Sequence, residues 1–376
     1  MNQQIIKDAS SDQLVNYIED LGCKRIFIVT GKQSYYSSGS EKFLSEICKN
    51  YNCYIFNNFS INPKFEDAIK GSEEFNKFEG DIIIAIGGGS VIDIGKSILA
   101  LSNGSLKENT MDIISNTLVK VKVIPLIAIP TTSGSGSEST QFAVLYKSNV
   151  KYSISHESLL PNLVLLNTNL ILNNNFSSTV FPGLDAISQS IESLWSIKST
   201  AESRKLASEA LRLLVHWLPI SVKEKSFESR KNVHFGANLA GRAINISKTT
   251  APHAISYYFS TFFNIPHGQA VFLSLPFFFE FNSKLNSDDC LDQRGIGFVK
   301  SVFKELYDIL GVESGFEGRV FLEQFVKNLG VEISLKSLGL SGFEETIIDY
   351  ISIERLNNNP RKITQLEDVI NLIAQS

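Results

Sequence analysis

The stretch Asp81-Ile82-Ile83-Ile84-Ala85-Ile86 is an unbroken apolar run that ends in Gly87-Gly88-Gly89-Ser90 and continues as a helical pattern over 91–101. An apolar run without alternation predicts a strand covered on both faces, and such strands belong to parallel sheets flanked by helices. The residues before it repeat the same succession. Helical periodicity over 10–21 precedes a strand at 25–30, a helix over 41–51 precedes a strand at 53–56, and a helix over 65–78 leads into the glycine turn. A further strand is expected at 123–129. The junction itself is chemically suggestive, because glycines let backbone N–H groups approach an anion while the helix dipole favours its charge. Gly87, Gly88, Gly89 and Ser90 are therefore candidate contacts to a nucleotide pyrophosphate. The turn is not a G-x-G-x-x-G fingerprint, and glycines alone would serve a plain tight turn equally well.

The expected fifth strand runs into Pro130-Thr131-Thr132-Ser133-Gly134-Ser135-Gly136-Ser137-Glu138. Hydroxyls and glycines at the C-terminal end of a strand can bind phosphates and ribose and still leave room for a cofactor, which makes Thr131, Thr132 and Ser137 candidates. Asparagines punctuate 164–178, and from Gly183 onward helical periodicity dominates, over 201–218, 230–246, 299–310, 317–329 and 365–374. The expected organisation is α/β followed by all-α: a Rossmann-like nucleotide-binding domain over 1–177 and a helical metal and substrate domain over 178–376.

Within the helical half, Pro182-Gly183 is read as a helix start, so Asp185 and Gln189 lie one turn apart on the same face. His253 and His267 sit in separate segments beside Ala254, Pro266 and Gly268, small or turn-forming neighbours that let a site approach. Two imidazoles and a carboxylate are a donor set for Zn²⁺ or Fe²⁺ with a position open to a substrate oxygen. The other histidines carry no such context: His216 and His234 read as hydrogen-bonded core groups, His156 as a loop residue.

These residues resemble those of the iron-containing (group III) alcohol dehydrogenase family, whose fold is dehydroquinate synthase-like. The resemblance implies Asp185, His253 and His267 as metal ligands, with Gln189 where the family pattern places a histidine. An amide oxygen is a weaker donor than imidazole, so a weakly held Fe²⁺ or Zn²⁺ is expected. Tyr257 stands where a second active-site histidine is implied and becomes the candidate proton donor. The resemblance also implies Asp93 and Lys96 after the glycine turn, Lys151 near the nicotinamide ribose, an active site in a cleft between the domains, and a homodimer. NADPH or NADH is the implied cofactor. Gly31, with Lys32 beside it, replaces an acidic residue that would repel a 2′-phosphate, which favours NADPH.

Composition narrows the partners. A net charge of −4 without a basic stripe argues against nucleic acid and anionic membrane surfaces, and no run approaches the ~18 apolar residues of a membrane span. Four cysteines without a C-x-x-C pair suit a reducing cytoplasm. A small aldehyde or alcohol is the expected substrate. Asn245-Ile246-Ser247-Lys248-Thr249-Thr250 puts a cation among hydroxyls just before His253, a set suited to a phosphonate dianion. Lys248, His253 and Tyr257 are thus the candidate catalytic residues, and the chain resembles the phosphonoacetaldehyde reductase branch of the family. A general or glycerol-dehydrogenase-like enzyme and a non-catalytic nucleotide-binding protein are the alternatives.

Overall fold

The computed structural model describes residues 3–60, 62–102, 124–147, 150–344 and 346–374. It comprises two compact units, Met1–Asn175 with Lys225–Asn238, and Phe176–Glu224 with Leu239–Ser376.

The first unit is built on a six-stranded parallel sheet of order β1-β8-β5-β4-β2-β3, with β1 at Gln4–Lys7, β2 at Arg25–Thr30, β3 at Asn52–Phe56, β4 at Ile82–Gly87, β5 at Leu126–Pro130 and β8 at Leu163–Leu166. Successive side chains leave a strand on opposite faces, and the sequence uses both. Phe27, Val29, Ile83, Ala85, Leu126 and Ala128 enter one core, where helices Phe65–Phe78 and Gly89–Ser102 pack. Ile26, Ile28, Ile82, Ile84, Ile86, Ile127 and Ile129 enter the other with Leu14 and Ile18 of helix Ser11–Asp20. Unbroken hydrophobicity in β2 and β4 thus reflects two cores rather than one. Phe27 stacks on Tyr54 with ring centres 5.3 Å apart and meets Phe75 edge-on at the same distance.

Several elements escape the sequence periodicity. β1 and β8 are four residues each, too short to show a period, and they pair with each other from Gln4 opposite Leu163. An antiparallel hairpin, β6 at Phe142–Lys147 and β7 at Val150–Ser155, follows the Ser/Gly segment. The helix expected over 41–51 is divided at Leu44 into Ser40–Phe43 and Ser45–Asn50. Of the strand expected over 123–129, Val123 lies outside the described residues and the remainder begins at Leu126.

The second unit is helical. Its central helix spans Phe176–Trp195 and carries Pro182 inside it, so the helix does not begin at Pro182-Gly183 as the sequence suggests. Every residue from Gly183 to Trp195 is buried. A helix covered on all sides must satisfy its polar side chains internally. Ser188 and Ser190 do so through the carbonyls of Leu184 and Ala186 at 2.9 and 2.7 Å, and Trp195 donates to Thr250 Oγ1 at 2.9 Å. Among the described residues no helix is long and apolar enough to cross a membrane.

One buried charge organises the first unit beyond its sheet. Lys96 is fully buried, and its ammonium donates to the carbonyls of Ser137, Thr140 and Phe142 at 2.5, 2.6 and 2.7 Å. Burial lowers its pKa to about 8, against the opposing pull of Asp93 and Glu138, so it remains protonated at neutral pH. Removing one partner from such a set strands the others in low dielectric. We therefore expect Lys96→Met to cost about 3–5 kcal/mol, measurable by urea denaturation. A loss under 1 kcal/mol would mean that the carbonyls find water without rearrangement.

Candidate active site

In the first unit the glycine turn has the form a pyrophosphate requires. β4 ends at Gly87, helix Gly89–Ser102 starts two residues later, and the opening N–H groups of a helix have no acceptor within it. Thr131 N–H donates to Gly87 O at 2.9 Å, which holds the hydroxyl-rich segment against the turn. A Cβ on Gly89 would stand 2.9 Å from Ser135 Cβ, and one on Gly88 would stand 3.4 Å from Thr132 Oγ1. Only glycine at 89 permits this approach, and Gly88, Gly89 and Ser90 are partly exposed. The residues fit a dinucleotide phosphate: bare N–H groups and hydroxyls face one turn at a helix N-terminus.

The other nucleotide candidates divide. Gly31 follows β2 directly, and Lys32 Nζ donates to Asn58 Oδ1 at 3.1 Å. Thr131 is buried and its carbonyl accepts from Asn174 at 2.9 Å. Ser137 Oγ donates to Asp93, whose carboxylate also accepts from Val144 N–H at 3.2 Å. Asp93 and Ser137 thus hold each other inside the protein. Lys151 falls on β7 opposite Tyr146. The histidines outside the motif also part ways. His234 is buried with Nδ1 2.9 Å from Ser133 Oγ, and burial lowers its pKa to about 4, which keeps it neutral. His216 is exposed and meets Trp217 edge-on at 4.9 Å, not in the core as the sequence reading has it. His156 caps a short 3₁₀ turn by accepting from Ser158 N–H.

In the second unit Asp185, His253 and His267 converge, each offering a ligand atom within 4.8 Å of the others. Three helices deliver them. Asp185 lies in Phe176–Trp195. His253 lies in the first turn of Ala251–Phe262, where Pro252 suits a position with no intrahelical N–H bond, and His267 opens His267–Phe272. Gly268 explains the convergence: a Cβ there would overlap the Phe181 carbonyl and lie 2.8 Å from Asp185 N, so glycine alone lets the third helix rest on the backbone of the first. His253 Nε2 is 3.2 Å from Asp185 Oδ1.

The sequence reading missed Glu192, which is fully buried seven residues after Asp185 on the same stripe. Its Oε2 meets His253 Nδ1, while Oε1 accepts from Thr250 N–H at 3.0 Å, Thr250 Oγ1 at 2.8 Å and His253 N–H at 3.3 Å. A carboxylate on one imidazole nitrogen turns the other toward the ligand cluster and raises its basicity. The i, i+7 spacing from Asp185 was the available signal. Burial alone would lower the His253 pKa, but Glu192 and then Asp185 outweigh it and raise it. For Asp185, burial is outweighed by His267 and by hydrogen bonds from His253 and Gln189, which hold its carboxyl below the usual range. Carboxylates that favour a proton on His253 favour a metal cation in its place, so the donor set fits a divalent ion. Gln189 is buried beside it and hydrogen-bonds Asp185.

Tyr257 stacks on His267 with planes 3° apart and centres 5.6 Å apart. Lys248 is partly exposed, sits at a left-handed φ of 59° and lies 3.9 Å from Glu354.

A parallel-sheet unit with a glycine turn that fits a phosphate, carried by a chain that also brings together a carboxylate and two imidazoles suited to a divalent cation, is the pattern of a nicotinamide-linked, metal-assisted dehydrogenase. Comparison with known proteins agrees: residues 2–168 match the profile of iron-containing alcohol dehydrogenase, and residues 179–376 match the C-terminal profile of the same family. The chain belongs to the iron-containing alcohol dehydrogenase family and is an NAD(P)-dependent oxidoreductase. It is 27% identical over 363 residues to long-chain-alcohol dehydrogenase 1 of Geobacillus thermodenitrificans, covering 92% of this chain and 87% of that one. It is 28% identical over 320 residues to phosphonoacetaldehyde reductase of Streptomyces viridochromogenes, covering 80% and 78%. The fold matches the crystal structure of sulfoacetaldehyde reductase from Bifidobacterium kashiwanohense in complex with NAD+ over 100% of both chains, with a TM-score of 0.85 at 24% identity.

Two substitutions separate the roles at the cation site. The unaltered protein should hold substoichiometric metal after dialysis, and Gln189→His should raise zinc affinity by supplying a fourth strong donor. Glu192→Gln should weaken zinc binding by about 10- to 100-fold, because the imidazole loses its orienting charge. Competition with a chromophoric chelator reads both. Tight stoichiometric metal in the unaltered protein would refute the first expectation, and an unchanged affinity in Glu192→Gln the second.

Proposed function

We propose that the chain uses NADPH to reduce a short aldehyde with an anionic head group, phosphonoacetaldehyde being the concrete case, to the corresponding alcohol, 2-hydroxyethylphosphonate. The convergence of Asp185, His253 and His267 beside Tyr257 carries the aldehyde chemistry. When a hydride joins the aldehyde carbon, the displaced electron pair collects on oxygen, which must be stabilised and then protonated. Asp185, His253 and His267 would hold the cation, which supplies Lewis acidity toward that oxygen. Tyr257, stacked on His267, is the phenol positioned to return the proton. Gly87 to Ser90 hold the cofactor phosphates in this reading, with the hydroxyls of Thr132 and Ser135.

The anionic head group is supported by Lys248 and the Thr249 hydroxyl just before His253, and by the relative named phosphonoacetaldehyde reductase. A second reading, a dehydrogenase of neutral alcohols, is favoured by the intact three-donor cluster and by the long-chain-alcohol relative. A homodimer belongs to the same proposal. NADPH oxidation with aldehydes that carry or lack a phosphonate, before and after chelation, distinguishes the readings. We expect the phosphonate to raise kcat/KM and chelation to abolish turnover until zinc or ferrous iron is restored. Equal rates for neutral aldehydes would favour the second reading.

The NADPH preference rests on Gly31 and Lys32. A carboxylate after β2 would repel the 2′-phosphate, whereas Lys32, tethered to Asn58, offers a cation there. Gly31→Asp should shift the ratio of kcat/KM for NADPH over NADH toward NADH by at least about tenfold, in line with one charge-assisted contact. An unchanged ratio would refute the assignment.

A further inference from the structure

We propose that Arg355 reads the negative charge on the substrate, with Thr249 and Tyr257 fixing its guanidinium beside the ligand cluster. The inference rests on the reading above and names the side chain that performs the recognition. Arg355 Nη1 donates to Thr249 Oγ1 at 2.5 Å, and its Cζ lies 4.8 Å from the centre of the Tyr257 ring. Tyr257 in turn lies parallel to His267. The guanidinium is thus one aromatic ring removed from His267, a residue of the ligand cluster.

Glu354 feels Arg355 as well as the lysines, but only the lysines reach it as ion pairs, which favours Arg355 over Lys248. Glu354 takes both neighbouring lysines, Lys198 at 3.3 Å and Lys248 at 3.9 Å. Among the described residues no carboxylate lies within 4.0 Å of Arg355, although the side chain is partly buried and less able to rely on solvent. Its Nε and Nη2 have no hydrogen-bond partner among the described residues. A planar fork with adjacent free donors suits two oxygens of a tetrahedral oxyanion. Its support is rigid: Thr249 is buried, its carbonyl accepts from Asn358 Nδ2 at 2.9 Å, and Thr250 beside it is held by Glu192. Any anion gripped there is therefore placed relative to His253. Phosphonate and sulfonate share this chemistry, and the test separates them.

The decisive quantity is the ratio of kcat/KM for an anionic aldehyde to that for propanal, with NADPH, measured for phosphonoacetaldehyde and sulfoacetaldehyde. Arg355→Met should lower the ratio roughly 10- to 150-fold, mainly through KM of the anionic substrate. Arg355→Lys, which keeps the charge and loses the fork, should lower it less, and Lys248→Ala less than Arg355→Met. The anionic aldehyde with the larger wild-type ratio identifies the head group, and either result supports the proposal. Loss of both activities in parallel in Arg355→Met, or an unchanged ratio, overturns it. Should Arg355→Met melt below the assay temperature, Arg355→Lys carries the test, and an unchanged ratio there overturns the proposal equally. A wild-type ratio near one would defeat the anionic-substrate reading itself and this inference with it, whereas a high ratio that survives Arg355→Met removes Arg355 alone.

Discussion

The helical unit depends on the buried contact between Glu192 and the start of helix Ala251–Phe262. Taking a carboxylate out of water costs several kcal/mol unless donors surround it. Glu192 has four: the Thr250 N–H and hydroxyl, the His253 N–H and the His253 ring. The same oxygens therefore cap a helix, bind it to Phe176–Trp195 and orient an imidazole. Stability and site geometry share one group, so turning the His253 ring away would cost the buried Glu192 Oε2 its donor.

Lys96 performs the corresponding task in the sheet unit with the opposite sign. Its ammonium gathers three carbonyls from the segment after β5, and Asp93 gathers Ser137 and Val144 from the same segment. Both follow the glycine turn on one helix. They fix the far end of the hydroxyl-bearing segment that Gly89 allows to approach. A loop that would otherwise lose its conformation to entropy is held by buried charge, as the histidine is in the other unit.

Gln189 shows what such a framework tolerates. Buried within the central helix and hydrogen-bonded to Asp185, it puts a neutral amide beside the ligand cluster. The carboxylate and two histidines around it remain within ligand distance. Such a change is expected to alter affinity for the cation more than the scaffold, because the residue stays packed inside the central helix.

Local sequence determined much of this. Apolar runs without alternation set β2 and β4, glycines after β4 set the turn, and i, i+4 spacing set Asp185 and Gln189 on one stripe. Period and turn chemistry act within a few residues, so they can be read from the chain directly. β1 and β8 are too short to carry a period and exist because β1 pairs with β8 and β8 with β5 across the fold. Glu192 lay within reach of the same spacing argument, but its importance is visible only when Thr250 and His253 arrive against it. Arg355 has no local signal at all. Only tertiary structure sets its guanidinium over Tyr257 and leaves Lys248 to Glu354, because the pairing of charges depends on distances between segments that are remote in the chain.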